Sequence, residues 1–301
     1  MIKIKNCIRP HLKKLMIEKN MIPVSGLRKE FGFSLVELMV ASIISVIILL
    51  AASSVFFTTF KLKEQVKSRI DYDQDVRNAA NLLRSDARQL GNFSCMNPPT
   101  AGELNNIFNG SFSASNNKQY LSNTFNTQVG ITQTSGNPPL IMTYINDKFA
   151  SNLTSNECNN GIPNMENNVD AAVYMVGKTA SDNVTGFYRI NYSKGIWSAP
   201  QLLVSNVSSV EYTYDYDNHT DATCPQPLST AASAPVQYVE NIEKNQLDFG
   251  FEKPPVLIKA KLKITPTQNG SNGSNHAEVN YEIYAMVRQG EVCINNQAQQ
   301  Q

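Results

Sequence analysis

The chain has 301 residues, with 26 basic against 25 acidic side chains and a formal net charge of +1. The balance is uneven along its length. Residues 1–32 hold Lys3, Lys5, Arg9, Lys13, Lys14, Lys19, Arg28 and Lys29 against Glu18 and Glu30, which leaves 18 basic and 23 acidic side chains beyond them. A sequence-independent nucleic-acid binder needs a concentrated basic surface, and a remainder with a net of about −5 does not advertise one.

The basic start is followed by an apolar run. From Leu38 to Phe60 there are 23 residues without a charge, and about 20 suffice to cross the hydrocarbon core of a bilayer. By the positive-inside rule the N-terminus stays in the cytoplasm and everything after the run is exported. An ordinary secretory signal has a shorter apolar region with a small-x-small cleavage site behind it. Here no Ala-x-Ala marks the end of the run, and the conspicuous small residue, Gly32, lies before it. One carboxylate, Glu37, stands at the entrance. A charge within a span costs roughly 2.5–3.5 kcal/mol on insertion scales, so a partner has to be found for it. No Gly or Pro interrupts residues 34–60, which argues for an unkinked helix.

The stretch Gly32-Phe33-Ser34-Leu35-Val36-Glu37-Leu38, with the apolar run behind it, resembles the prepilin signal of type IV pilins and pseudopilins. The resemblance implies that a prepilin peptidase/N-methyltransferase cuts between Gly32 and Phe33 and methylates the new N-terminus at Phe33. Glu37 then becomes the fifth residue of the mature chain and the assembly residue, pairing with the new ammonium of an adjacent subunit. Either charge buried alone would be expensive. The leader is longer than the short basic leader usual in this family. Met16 and Met21 offer later starts, and Cys7 falls within the leader.

Helical periodicity continues past the span. Leu62, Val66, Ile70, Val76, Ala80, Leu83, Ala87 and Leu90 recur at steps of mainly three and four. Charges including Lys61, Glu64, Arg77, Arg84, Asp86 and Arg88 fill the remaining surface. This predicts an amphipathic helix whose stripe covers a sheet, continuous with the membrane half over 33–90 and ended by Gly91. At 1.5 Å per residue such a helix is about 87 Å long. Its end is similar to that of PilW-type minor pilins, where a Leu-x-x-Asp-x-Arg-x-x-Gly pattern leads to an aromatic residue and a Cys. Leu83, Asp86, Arg88, Gly91, Phe93 and Cys95 carry that likeness. Residues 203–214 resemble the family's late strand, and 256–264 with 278–288 its closing hairpin.

The part from residue 92 onward is long enough for one globular domain. Strands are predicted at 139–145, 171–177, 187–192, 207–215, 256–265 and 278–287, several with period-two alternation. Lys259, Lys261 and Lys263 alternate with Ala260, Leu262 and Ile264, which reads as a half-buried strand with a solvated basic face that discourages edge-to-edge pairing. Asn-, Ser- and Gly-rich stretches at 105–137, 151–168 and 268–275 read as surface loops. The fold class is α+β, pilin-like: a long N-terminal helix packed on an antiparallel sheet domain. The expected organisation is a cleaved leader at 1–32, a membrane or filament-core helix at 33–60, an amphipathic helix at 61–91, a β-rich periplasmic domain at 92–294 and a disordered tail at 295–301.

Four cysteines lie beyond the leader: Cys95, Cys158, Cys224 and Cys293. An even number in an oxidising compartment indicates disulfides, and three connectivities are open. Cys95–Cys158 with Cys224–Cys293 is the favoured pairing, because Cys95 leaves the helix into the loop region and Cys293 can tie back the C-terminal tail. No zinc spacing, phosphate loop or serine elbow occurs. His219 and His276 are the only histidines beyond the leader, and the acid-rich 215–221 stretch fails the calcium-loop pattern. No catalysis, metal or cofactor is expected.

The family resemblance implies a minor pilin that primes pilus growth and caps the tip. Its partners would be the prepilin peptidase, other minor pilins, the major pilin, the assembly platform and a tip adhesin, with no nucleic acid. It would sit first in the inner membrane, with its C-terminal domain in the periplasm, and then in the surface pilus. The alternatives are a J-like minor pseudopilin of type II secretion and, from another class, a membrane-anchored periplasmic enzyme or binding module.

Overall fold

The computed structural model describes residues 32, 34–113, 119–179, 184–217, 241–251, 253–265 and 278–287. Residues 1–31 of the leader, Phe33, Cys224, Cys293, His219, His276, the 268–275 stretch and the 295–301 tail lie outside them. Two compact units divide the chain, Met1–Leu62 and Lys63–Gln301.

Helix α1 runs over Leu35–Gln89, a stretch without a single Gly or Pro. In the first unit it carries an apolar surface with no neighbour among the described residues. Its hydroxyls do not disturb that surface. Ser42, Ser45, Ser53, Ser54, Thr58 and Thr59 each donate to a carbonyl three or four residues back, at 2.7–2.9 Å. Such back-bonding satisfies the polar groups inside the helix itself.

In the second unit the stripe is shorter than the sequence suggests. Val76, Ala79, Ala80, Leu83, Ala87 and Leu90 are buried, whereas Val66 and Ile70 are exposed, as is Leu62 at the end of the first unit. The sheets reach only the last turns, so periodicity alone overstates the covered length. Leu90 is followed by Gly91 at φ +65°, whose N–H donates to the Thr143 carbonyl at 2.9 Å. A Cβ there would lie 3.0 Å from the Tyr120 ring. Glycine is thus required by the left-handed turn and by a close approach.

Beyond α1 come α2 (Ala101–Ile107), β1 (Leu121–Ser122), β2 (Ile131–Gln133), β3 (Leu140–Ile145), α3 (Asp147–Ser151) and α4 (Met165–Asn168). Strands β4 (Val169–Thr179), β5 (Thr185–Ser193), β6 (Ile196–Trp197), β7 (Gln201–Ser205) and β8 (Val207–Tyr216) follow, then β9 (Ile242–Lys244), β10 (Leu257–Ile264) and β11 (Val279–Met286). Among the described residues these strands form two antiparallel sheets. The first has the order β1-β3-β4-β5-β6, with β2 also on β4 and β7 also on β5; the second has the order β11-β10-β8-β9.

The first sheet is buried on both faces. Leu140, Met142, Ala172, Tyr174 and Val176 join the core formed with α1 and the second sheet. Their alternates Ile141, Val169, Ala171, Val173 and Met175 join a separate core on the opposite side. Period-two alternation divides one apolar run between two faces. Phe93, Leu104, Phe108, Phe112 and Ile162 complete the second core. The 105–137 and 151–168 stretches are therefore not surface loops throughout. Their aromatic and aliphatic residues close a hydrophobic face, and Phe108 packs edge-on to Tyr192 at 4.9 Å. Thr100 and Glu103 form a capping box at the start of α2, with bonds that hold the Glu103 carboxyl below its usual range.

The stretch 203–214 is two strands rather than one. It breaks at Asn206, φ 58°, where the chain leaves the first sheet for the second. Asn206 joins three elements: its N–H donates to Thr185, its carbonyl accepts from Thr265, and its side chain donates to the Tyr72 hydroxyl of α1 at 2.7 Å. β10 is an interior strand, so its lysines do not guard an edge. They meet acids across the strands instead: Lys259 meets Asp215 at 3.1 Å and also Glu243, and Lys263 meets Glu278 at 2.6 Å.

Asp86, expected on the solvated side, is only 4% exposed. Arg189 of β5 grips its carboxylate with two bonds of 2.8 and 2.9 Å. The Tyr174 hydroxyl donates to it at 2.6 Å and the Tyr144 hydroxyl at 3.4 Å. Burial, and secondarily the Asp86 charge, push both phenols well above the usual tyrosine range, so they remain donors. Burial alone would lower Arg189, but its bonds to Asp86 hold the guanidinium above its ordinary value. Asp86 lies three residues after Leu83 and four before Leu90, on the buried stripe. That spacing was the available signal for its position.

Cys95 and Cys158 are joined by a disulfide across 63 residues of sequence. Backbone bonds flank it: Asn159 N–H donates to the Cys95 carbonyl at 2.8 Å, and Asn97 N–H to that of Asn160 at 2.9 Å.

Replacing one member of a buried ion pair strands the other. Asp86→Ala is expected to destabilise the folded domain by about 3–5 kcal/mol, read from urea unfolding of the full-length chain in detergent. Cys95→Ser should lower stability by up to about 4 kcal/mol on loop-closure entropy. Adding reductant to the native chain should cost at least as much, and Cys158→Ser should lower stability as much as Cys95→Ser, with no further loss in the double variant, which identifies the bond responsible.

Candidate processing and assembly site

The site lies at the start of α1. Gly32 is exposed, and a Cβ added to it meets nothing within 4 Å. Among the described residues no packing demand accounts for glycine at this position.

Two residues on, the Ser34 carbonyl accepts from the Leu38 N–H at 3.2 Å, while the Ser34 N–H donates to Glu37 Oε2 at 3.1 Å. Ser34-Leu35-Val36-Glu37 is thus an S-x-x-E sequence whose acid reaches back to the first amide, one half of a capping box. The position also sets a negative charge against the positive end of the helix dipole. Thr154 and Glu157 repeat this half, with the Thr154 N–H 2.8 Å from Glu157 Oε2.

Glu37 therefore has a partner inside its own chain, which the sequence argument for a lone intramembrane acid did not foresee. The serine three residues before it was the signal. The side chain is exposed, and a carboxylate accepts more than the single bond seen here.

Behind this cap the helix is long and apolar enough to cross a membrane. None of its most apolar stretch is buried among the described residues. Phe56 stacks on Phe60 with centroids 6.5 Å apart and meets Phe57 edge-on at 6.1 Å, giving the span an aromatic end.

Residues 27–53 match the family described as the prokaryotic N-terminal methylation motif. The chain carries a prepilin-type methylation motif. The matched segment contains Gly32, Phe33 and Glu37 together with most of the apolar run. With the apolar helix behind it, the motif supports a membrane-anchored, type IV pilin-like substrate of prepilin peptidase. Comparison with curated proteins gives no match, and neither does comparison with solved structures.

Other candidate chemistry is sparse. Among the described residues no three His, Cys, Asp or Glu side chains are grouped to hold a metal ion. Of the acid-rich 215–221 stretch, Asp215 bonds Lys259, while residues 218–221 lie outside the described part.

The open surroundings of Gly32 separate folding from processing. Gly32→Ala should leave the thermal unfolding of the domain unchanged while the chain keeps its unshortened mass in cells with prepilin peptidase, read by intact mass spectrometry. A shortened variant chain would show that glycine is not required for cleavage.

Proposed function

We propose that the chain is a PilW-type minor pilin, cleaved after Gly32, methylated at Phe33 and assembled with other minor pilins to prime a type IV pilus at its tip. The observation that carries this reading is a methylation motif running without a break into one apolar helix whose far end is locked into a two-sheet domain. The finer assignment is supported by the Leu83–Cys95 pattern, in which nearly every member has a task. Leu83 is fully buried, Asp86 binds Arg189, Gly91 makes the left-handed turn, Phe93 packs on Tyr120 and Cys95 forms the disulfide. Arg88 is exposed and has no such task.

In this reading the work is mechanical and the protein is not an enzyme. Glu37 gives its free acceptor capacity to the amine of a neighbouring subunit, while the Ser34 amide keeps the carboxylate positioned at the helix start. The partners are prepilin peptidase, other minor pilins, the major pilin and the assembly platform, with a tip adhesin beyond them. The protein waits in the inner membrane with its sheet domain in the periplasm and ends on the cell surface.

The same N-terminal logic serves minor pseudopilins of type II secretion. Loss of surface pili on gene deletion, with the major pilin still present in the membrane, favours the pilus; loss of protein secretion favours the alternative. Mass spectrometry of the mature N-terminus should find N-methylphenylalanine at Phe33. Glu37→Leu should still be cleaved yet enter sheared pili in much reduced amount, read by immunoblot, and normal incorporation would remove the charge-pairing argument.

A further inference from the structure

Strand β8 uses its two edges unequally. One pairs with β10 from Val207 to Asp215, whereas β9 lies against the other only at Tyr214, Asp215 and Tyr216. Among the described residues no strand covers that second edge over 208–213. In an antiparallel sheet successive residues turn their amides to opposite sides. The Val210 N–H faces the open side, because it donates to Asn137 Oδ1 at 2.8 Å. By the same alternation Tyr212 presents its N–H and carbonyl there.

Asn137 is built into place rather than resting by chance. It is 5% exposed, its side-chain amide donates to the Ser135 carbonyl at 3.2 Å, and its own carbonyl accepts from Gln133 Nε2 at 2.7 Å. A fixed side-chain amide stands where a neighbouring strand's carbonyl would be. Alongside runs a groove of about 710 Å³, walled by the 134–138 turn and by residues 245–247, where the chain bends away after β9 and turns back, so that the Asp248 N–H donates to the Tyr216 hydroxyl.

We propose that this edge accepts an added strand from a second polypeptide. The incoming segment is extended, about four residues long at roughly 3.3 Å each, and follows on from β9. Its side chains alternate. Those facing the core meet Val210, Tyr212 and Leu247, and are aliphatic. Those facing solvent pass Ser209 and Glu211, the only carboxylate among lining residues that include no basic side chain, and are Lys or Thr. Without the segment, Asn137 holds one edge amide and limits edge-to-edge association, which exposed strands otherwise invite. The inference goes beyond the pilus reading and does not depend on it.

The test uses the full-length chain in detergent micelles and the fluorescein-labelled peptide Lys-Val-Thr-Val-Lys-Val-Thr. Two analogues are N-methylated on one or the other alternate set of amides. Anisotropy should show saturable binding of the parent peptide, weakened roughly tenfold or more by one methylation set and little changed by the other. Hydrogen exchange at the Tyr212 amide should slow on binding, and Glu211→Lys should weaken binding without altering thermal unfolding. Absent binding, equal binding of both analogues or protection confined elsewhere overturns the proposal. So does a Tyr212 amide already protected without peptide, which would mean that another part of the chain or a second copy fills the edge.

Discussion

The carboxylate of Asp86 lies in the core between α1 and the first sheet, and donors from three adjacent strands converge on it. A buried carboxylate without partners would be neutralised or would unfold its surroundings, so the arrangement exists only if helix and sheet meet in one register. Arg189 brings two parallel bonds, and a fork of that kind tolerates little rotation. Tyr144, Tyr174 and Arg189 stand on β3, β4 and β5, so one helix residue fixes the order and offset of three strands. The apolar contacts around it supply more energy, since burying a Leu83 or Val76 stabilises by roughly 1.5–3 kcal/mol each. They are less particular about angle. Apolar packing would accept several settings of the helix on the sheet, and Asp86 accepts one.

The other joints extend that constraint. Asn206 turns the chain from one sheet to the other in a left-handed conformation and bonds both neighbours and Tyr72. Gly91 ends the helix against Tyr120 and delivers Phe93 and Cys95 to the second face of the first sheet. There the disulfide and the capped α2 hold an Asn-rich covering that has few other regular elements to keep it in place. The covering matters because the first sheet is apolar on both sides, and water on either would be costly.

At the opposite end of α1 similar local chemistry has a different use. Ser34–Glu37, Thr100–Glu103 and Thr154–Glu157 each return an acid to the amide three residues earlier. Two of these pairs lie in the covering of the first sheet, where Thr100–Glu103 caps α2. The first stands at the mouth of an apolar span and within the methylation motif. A cap there holds the carboxylate at the helix start while leaving it able to accept from a newly made amine. The structural role and the proposed assembly role are compatible because one carboxylate has several acceptor positions.

The methylation motif, the continuous helix and the six main strands were readable from sequence, because each depends on local pattern: an uninterrupted apolar run, a basic flank, the absence of Gly and Pro, and period-two alternation. Asp86 was assigned to the surface because charge outweighed its place in the stripe. The 105–137 stretch read as loop because its asparagines are many and its phenylalanines widely spaced. The break at Asn206 sits within an otherwise good strand pattern. Residues close in sequence thus determined which segments are helix, which are strand and which stretch is apolar enough to cross a membrane. Only the tertiary structure decided that one strand run belongs to two sheets, that an Asn-rich segment closes a core, and that a helix acid is buried. Each of these depends on partners scores of residues away, such as Arg189 for Asp86, whose approach no local spacing encodes.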